Sequence, residues 1–265
     1  MKSITLDIIC CPTCKGCLTF DGQPDGDIIS GGILSCENCQ RNFPVEEGIV
    51  RFLHGEKLVS HGKRFDAIRE IYSSFYTPLT NLFFIACGGA KRARHEVLDR
   101  LEISSGAKIL ETGIGTGDNL PFLREYLNGG SFYGVDINQK MLRLCVRNLK
   151  KWGLQADLFW ADAERLPYKD ETFDVVFHLG AINLFFNKKQ AIEEMIRVAR
   201  PGTKIVIADE SEKGNRFFKL FVGKQEKVIP PVDLVPGTML NVRLDTIWKG
   251  YGYLIEFRTP PSGKR

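Results

Sequence analysis

The stretch Lys108-Ile109-Leu110-Glu111-Thr112-Gly113-Ile114-Gly115-Thr116-Gly117-Asp118 decides the fold. Its first five residues form a short apolar run of strand type, the glycines make a turn, and Asp118 to Leu127 can be helical. Strand, glycine turn and helix in that order read as the first βα unit of a doubly wound, mostly parallel sheet. Glycine permits positive φ and lets the backbone approach a ligand at the carboxyl edge of the strand, where open parallel sheets bind theirs. The spacing also excludes. A dinucleotide fingerprint would place its third glycine at position 118, which is Asp118, and no Gly-Lys-Ser/Thr ending of a P-loop follows. Pyrophosphate is therefore not the expected ligand.

Outward from this turn, the next strand is expected at Phe132-Tyr133-Gly134-Val135-Asp136, with Asp136 at its end, 19 positions beyond Gly117. A carboxylate there suits both hydroxyls of a ribose. After a helix from Gln139 to Lys151, the strand Ala156 to Trp160 runs into Ala161-Asp162-Ala163, which puts Asp162 at a neighbouring strand end to accept from an adenine amino group. Two acids and a glycine turn describe an adenosyl pocket. Near the C-terminus, Leu240 to Trp248 and Tyr251 to Arg258 are expected to form a hairpin that gives the sheet an antiparallel edge.

The N-terminal segment has a different chemistry. Six of the eight cysteines, Cys10, Cys11, Cys14, Cys17, Cys36 and Cys39, fall in the first 40 residues. Cys11-Pro12-Thr13-Cys14 and Cys36-Glu37-Asn38-Cys39 are two C-x-x-C knuckles of the kind that presents four thiolates to zinc. With Leu18 and Phe20, then Ile33 and Leu34, as strands around a Gly- and Asp-rich loop, this is a zinc ribbon, and four protein ligands make the zinc structural. Cys14-Lys15-Gly16-Cys17 is also C-x-x-C, so Cys10 and Cys17 stay open as alternative ligands.

Composition sets outer limits. With 265 residues, 43% hydrophobic and 26% charged, the chain is globular, with one large core and a small attachment. The longest apolar run, Thr77 to Ala90, is interrupted by Pro78, Asn81 and Gly88-Gly89, so no membrane span is expected, and Asp7 interrupts any signal peptide. A cytoplasmic address is the expectation. The net charge of +4 is uneven: residues 1–60 carry 5 basic and 8 acidic groups, and residues 211–265 carry 10 and 5. An acidic small module weakens a nucleic-acid role, although the basic tail keeps one open.

Two resemblances extend this reading. Leu6 to Gly16, Leu34 to Cys39 and Phe43 to Val50 look like the zinc-binding small proteins that activate methyltransferases as separate subunits; a similar knuckle pair opens bacterial large-subunit rRNA guanine methyltransferases. Glu111 to Gly117, Asp136, Asp162-Ala163, Phe173-Asp174-Val175-Val176-Phe177 and Arg197 to Gly202 together resemble the ordered motifs of class I S-adenosylmethionine (SAM)-dependent methyltransferases. Asp162 to Tyr168 is similar to the ubiquinone/menaquinone biosynthesis group. The resemblance implies a Rossmann-like fold in three parts: a ribbon at 1–55, a helical lid at 56–104 and a SAM-binding core at 105–265. It further implies Glu111 near the methionyl ammonium, Gly113, Gly115 and Gly117 along the methionyl chain, Asp136 and Ile137 on the ribose side, and Asp162 and Ala163 at adenine. His178, just past the fourth strand, would face the sulfonium, and Tyr72 and Tyr76 would cap the pocket from a helix. The expected activity is methyl transfer to a small, partly apolar acceptor, with no catalytic base assigned. The ribbon is expected to pack on its own catalytic domain through an edge strand with Phe43, Val45, Ile49 and Val50. An rRNA or tRNA methyltransferase and a non-catalytic partner protein are the alternatives.

Overall fold

The glycine turn leaves the C-terminal end of β5 (Lys108–Thr112), a strand buried from its second residue onward. The structure, a computed structural model, describes residues 1–53, 80, 82–222 and 227–263. On one side β5 pairs in parallel with β6 (Ser131–Asp136), which pairs with β7 (Asp157–Trp160). On the other it pairs with β8 (Val175–Leu179), which pairs with β9 (Lys204–Glu210). β10 (Leu240–Ile247) and β11 (Gly252–Arg258) form the expected hairpin, and β11 adds antiparallel to β9. The order 7-6-5-8-9-11-10 is a Rossmann-like core whose strand order reverses at β5, the place where such sheets bind ligands.

The helices follow their local sequence. α1 (Ala90–Leu98) precedes the core. α3 (Gln139–Trp152) starts where the Asn138 side chain accepts the amides of Lys140 and Met141, and stops at Gly153, φ 62°. Its Met141, Leu142, Cys145 and Leu149 share one buried face. α4 (Lys188–Val198) is capped in the same way by Asn187. The helix expected over Asp118 to Leu127 is shorter: a single turn, α2 (Leu120–Leu123), passes into a 3-10 turn, Arg124–Tyr126. α5 (Glu212–Val222) follows β9.

The ribbon strands β1 (Leu18–Asp21), β2 (Gly31–Cys36), β3 (Asn42–Glu46) and β4 (Ile49–Arg51) form an antiparallel meander. It does not stand apart from the core. β4 pairs in parallel with β7, Val50 opposite Phe159 and Arg51 opposite Trp160, so that ribbon and core share one eleven-stranded sheet. Phe52 donates its amide to the Trp160 carbonyl at 3.0 Å and lies between Phe43 and Phe159, with ring centroids 4.9 and 6.0 Å away. The expected docking edge is thus observed, with Phe52 added to it.

A second seam lies below. Asp157 at the start of β7 is buried and accepts the Lys2 amide at 3.0 Å and the Thr5 hydroxyl. The Cys10 amide donates to the Pro167 carbonyl and the Lys169 amide to the Ile8 carbonyl. Lys15 Nζ reaches the Leu166 carbonyl at 3.0 Å and Glu194 at 2.9 Å. These bonds cross a continuous apolar core that joins Ile9, Leu34, Phe43 and Val50 to Phe159, Leu166 and Tyr168. Deleting residues 1–53 should therefore expose the β7 edge and this core, and lower the melting temperature sharply or leave the remainder insoluble; unchanged melting would refute the joint. Asp157→Ala, which strands the Lys2 amide and the Thr5 hydroxyl, should cost about 2–3 kcal/mol in denaturant unfolding.

Candidate functional site

Two sites emerge, one in the ribbon and one at the C-terminal edge of the sheet. In the ribbon, the sulfurs of Cys11, Cys14, Cys36 and Cys39 all lie within 4.8 Å of one another. The cross-knuckle pairs are close, Cys11 to Cys39 at 3.6 Å and Cys14 to Cys36 at 3.4 Å. Four thiols brought together by two knuckle turns are the donor set of a structural zinc site, with no position left for a substrate. Burial pushes the Cys11 thiol up to about 12, whereas at Cys36 the opposing effect of burial is outweighed by hydrogen bonds from the Cys39 and Asn38 backbone and the Cys14 and Cys39 thiols, which bring it down to about 7. Cys10, which is buried, and Cys17, which is exposed, are outside the cluster.

At the sheet edge, a cleft with about 540 Å³ of empty space, open mouth included, runs over the ends of β5, β8 and β9. That is room for a small ligand. Glu111, Gly113, Ile114, Thr116, Asp118 and Asn119 line one end. Leu179, Gly180 and Glu210 line the other, and Thr80, Phe83, Phe84, Arg94 and Trp248 form the wall above. Glu111 is 1% exposed; Asn119 Nδ2 donates to its Oε1 at 2.5 Å, and its Oε2 has no partner among the described residues. Burial, partly offset by Asn119 and Arg94, pushes its pKa up to about 8. An orphaned buried carboxyl oxygen facing a cleft is a place for a donor, and an ammonium fits it.

Two strand-end acids lie beside this cleft. Asp136 terminates β6 and accepts the Gly115 amide at 2.8 Å and the Asn138 amide at 2.7 Å, which ties the glycine turn to the next strand. Asp162 follows β7 and caps a 3-10 turn (Ala163–Arg165) through the Glu164 amide at 2.9 Å. Trp160 Nε1 donates to the Ile137 carbonyl at 2.8 Å, and the Arg51 guanidinium of the ribbon stacks 4.8 Å above the Trp160 ring. The two acids thus stand at neighbouring strand ends, as a nucleoside requires.

The other expected residues divide. Glu111 and Gly113 line the cleft, whereas Gly115, Asp136, Ile137, Asp162 and Ala163 lie at the adjoining edge. Gly117, φ 77°, sits where a Cβ would meet Cys145 Sγ at 2.7 Å, so it serves close approach of the turn to α3. His178 lies inside β8 rather than past it and is wholly buried. Its Nδ1 is 2.7 Å from the Thr112 carbonyl, its ring stacks edge-on against Phe185, and a Cβ on Gly113 would come within 3.0 Å of it. Burial holds its pKa below the usual range, so a neutral imidazole supports the glycine turn from beneath and does not line the cleft. Asp174 precedes β8, and its carboxylate accepts the Lys108 amide at 2.8 Å, at the end of β5 away from the glycine turn. Tyr72 and Tyr76, most of the expected lid, and with them the lid boundary, lie outside the described residues. Sequence reasoning missed Arg94, Asn119 and Thr116. Asn119 and Thr116 sit in or beside the quoted turn, but Arg94 belongs to no motif.

Residues 109–202 match the family model described as a methyltransferase domain, and residues 2–48 match the one described as Trm112p-like protein. Residues 109–202 thus resemble a methyltransferase domain, and residues 2–48 resemble a Trm112p-like protein, the two lying in one sheet of Rossmann-like core and ribbon. Among curated relatives, a phthiotriol/phenolphthiotriol dimycocerosates methyltransferase of Mycobacterium ulcerans is 34% identical over 115 residues, 43% of this chain and 41% of that one. A demethylmenaquinone methyltransferase of Lactobacillus johnsonii is 30% identical over 158 residues, 58% of this chain and 64% of that one. The chain thus spans less than two thirds of the length of these relatives. A solved complex of the Haloferax volcanii Trm112 methyltransferase activator with a methyltransferase has a TM-score of 0.55 at 17% identity, covering 74% of this chain and 96% of that one, a likeness of fold. No helix among the described residues is long and apolar enough to cross a membrane.

The cluster geometry sets an outcome for metal analysis. The protein as purified should hold one zinc per chain. Cys36→Ser or Cys39→Ser should lose it and lower the melting temperature, whereas Cys17→Ser should keep full zinc content by elemental analysis.

Proposed function

We propose that this protein binds SAM along the C-terminal edge of β5, β6 and β7 and transfers its methyl group to a small, partly apolar acceptor. The observation that carries the reading is the unpartnered, buried Oε2 of Glu111, in a cleft bounded by a glycine turn whose Gly115 amide is fixed by Asp136. SAM carries an ammonium, a sulfonium and a ribose diol, and the groups present answer them in chain order. Glu111 would hold the ammonium, the turn from Gly113 to Gly117 the methionyl chain, Asp136 and Ile137 the ribose, and Asp162 with Ala163 the adenine.

When bound, SAM supplies a methyl group already made electrophilic by its positive sulfur. The chain's own residues then need to position the acceptor, exclude water and, where the acceptor loses a proton, let that proton leave. Phe83, Phe84, Leu179 and Trp248 give the far end of the cleft an apolar wall, which supports an acceptor with an aromatic or aliphatic body. Its polar point is Glu210, whose carboxyl is pushed well above the usual range by burial and by the charge of Asp209. Asp209 itself is held by three backbone amides, of Ala181, Asn183 and Glu210, at 2.7 to 3.2 Å. The mycobacterial and lactobacillar relatives named above, with lipid and quinone acceptors in their names, support the same acceptor class.

The ribbon's part in this reading is structural. One edge strand of the ribbon meander, β4, is already paired to β7 of the same chain, where it completes the sheet. That favours a ribbon acting in cis over a non-catalytic partner protein.

A native mass spectrum with added S-adenosylhomocysteine should show one zinc and one nucleoside per chain; zinc without nucleoside would sink the catalytic reading. The pH dependence follows from Glu111. With a pKa of about 8 the carboxyl keeps its proton at neutral pH, despite Arg94 nearby, and binding an ammonium requires it to ionise. Binding therefore releases a proton below pH 8. Affinity for S-adenosylhomocysteine should rise by up to about tenfold per pH unit from 6 to 8 and then level off. Titration calorimetry in buffers of different ionisation enthalpy measures the released proton, and Glu111→Gln should abolish the release and weaken binding about 10- to 100-fold.

A further inference from the structure

The far end of the cleft is lined by two consecutive acids, Asp209 and Glu210, at the C-terminal end of β9. Asp209 is fully buried, and its oxygens are taken up by backbone: Oδ1 accepts the amides of Ala181 and Glu210 at 3.2 and 2.8 Å, and Oδ2 accepts that of Asn183 at 2.7 Å. Asn183 is itself fixed, donating from Nδ2 to the Glu210 carbonyl at 2.8 Å and accepting the Tyr253 hydroxyl at 2.9 Å. The Glu210 carboxyl is held less firmly. Its partners among the described residues are its own amide and the Asp209 carboxylate, and no cation there offsets burial and the neighbouring charge. Other buried acids of the chain are neutralised or saturated: Glu194 by Lys15 and Arg197, Glu256 by Lys204 at 3.0 Å, and Asp157 by the Lys2 amide and the Thr5 hydroxyl.

A carboxylate fixed by three amides stays charged, so the pair holds one proton, on Glu210. An acid that served only the fold would carry a cation or several amides, as the others do. Glu210 instead lines the cleft between Leu179 and Gly180 and the aromatic wall of Phe83, Phe84 and Trp248. Once ionised in such surroundings, a carboxylate is a strong base. We propose that Glu210, positioned by Asp209, takes the proton of the methyl acceptor, whose attacking oxygen, sulfur or nitrogen carries that proton. This role rests on the SAM reading above and supplies the proton step that reading leaves open. The positive charge of the bound cofactor first favours ionisation of Glu210, whose proton leaves to solvent. The attacking atom then bonds the methyl carbon, the carbon–sulfur bond breaks with its electron pair left on sulfur, and the proton of the attacking atom passes to the Glu210 carboxylate. Sulfonium and carboxylate charges cancel in that step, which leaves a neutral thioether, a neutral methylated acceptor and a neutral carboxyl. Asp209 exchanges no proton; its fixed negative charge raises the basicity of Glu210, as in other carboxyl pairs.

Two ligands separate the outcomes by titration calorimetry on the full, zinc-loaded chain. Sinefungin carries an amine-bearing carbon where SAM has its methylated sulfur and so puts a cation at the point of transfer; S-adenosylhomocysteine leaves that point uncharged. Wild-type protein should bind sinefungin about 10- to 100-fold more tightly than S-adenosylhomocysteine, through one charge-assisted contact to Glu210. Glu210→Gln should remove that preference while leaving S-adenosylhomocysteine within about twofold of wild type, and Glu210→Asp, shorter by one methylene, should keep part of it. Equal wild-type affinity for the two ligands would overturn the proposal with no variant needed. A preference that survives Glu210→Gln would also overturn it, because another group would then face the transferred methyl. Equal loss for both ligands in Glu210→Gln would do the same, since Glu210 would only maintain the cleft. Wild-type protein that binds neither ligand would overturn the cofactor reading itself, and this inference with it.

Discussion

The pairing of Val50 and Arg51 with Phe159 and Trp160 is short, yet the rest of the molecule is arranged around it. Without β4, β7 would be an edge strand of four buried residues, Asp157 to Trp160, with unpaired amides and carbonyls facing solvent. The ribbon closes that edge. In return the ribbon, too small to bury a sufficient core of its own, shares the core beneath β7. Zinc and core then stabilise one another: the metal site fixes the knuckles, the knuckles place Lys15 against Glu194, and the meander delivers β4 and Phe52 to β7. Glu194 is held below the usual carboxylate range by Arg197 and Lys15 against the opposing effect of burial, so this seam is a charge-assisted contact within a largely apolar one.

The same joint reaches the ligand edge. Trp160 ends β7, receives the Phe52 amide on its carbonyl, carries Arg51 on its ring and donates its indole N–H to the Ile137 carbonyl, one residue beyond Asp136. Asp136 in turn accepts from Gly115. A chain of contacts therefore runs from the ribbon's last strand to the glycine turn without leaving the sheet. Beneath that turn the neutral ring of His178 fills the space left by Gly113, whose φ of 70° and lack of a Cβ are both needed there. The turn is held from its flank by a carboxylate and from below by an imidazole.

Legibility in the sequence followed the kind of constraint involved. The β5 turn, the strand-end acids, the two knuckles and the C-terminal hairpin were readable because each is a local pattern with a backbone or coordination requirement at fixed spacing. Cys11 and Cys14 are preferred as ligands in the sequence because Cys11-Pro12-Thr13-Cys14-Lys15-Gly16 has the shape of a knuckle, and the sulfur positions agree with that choice. His178 lies within its strand rather than past it, because its Nδ1 is satisfied by the Thr112 carbonyl and the chain continues extended through Leu179. Asp174 precedes β8, so in a parallel pair it meets the start of β5, not the end. Arg94 could not be found by motif, for its meaning arises only when α1 lies over β5.

What unites these particulars is a division of charge. Among the described residues of the cleft, acids outnumber bases: Glu111, Asp118, Asp209 and Glu210 line it with the guanidinium of Arg94. Burial drives Glu111 and Glu210 toward their neutral forms, which relieves the repulsion that four ionised groups would cause. A ligand with net positive charge reverses that preference, because its cationic groups make ionisation of these carboxyls favourable again. The cleft is thus set up to gain charge as it fills, and its affinity for a cation comes partly from groups that are uncharged beforehand. Asn119 is necessary to this arrangement: an acid in its place would add a fifth negative group, a base would neutralise Glu111 permanently, and only a neutral donor–acceptor bonds to Arg94 and Glu111 at once while leaving both charges available.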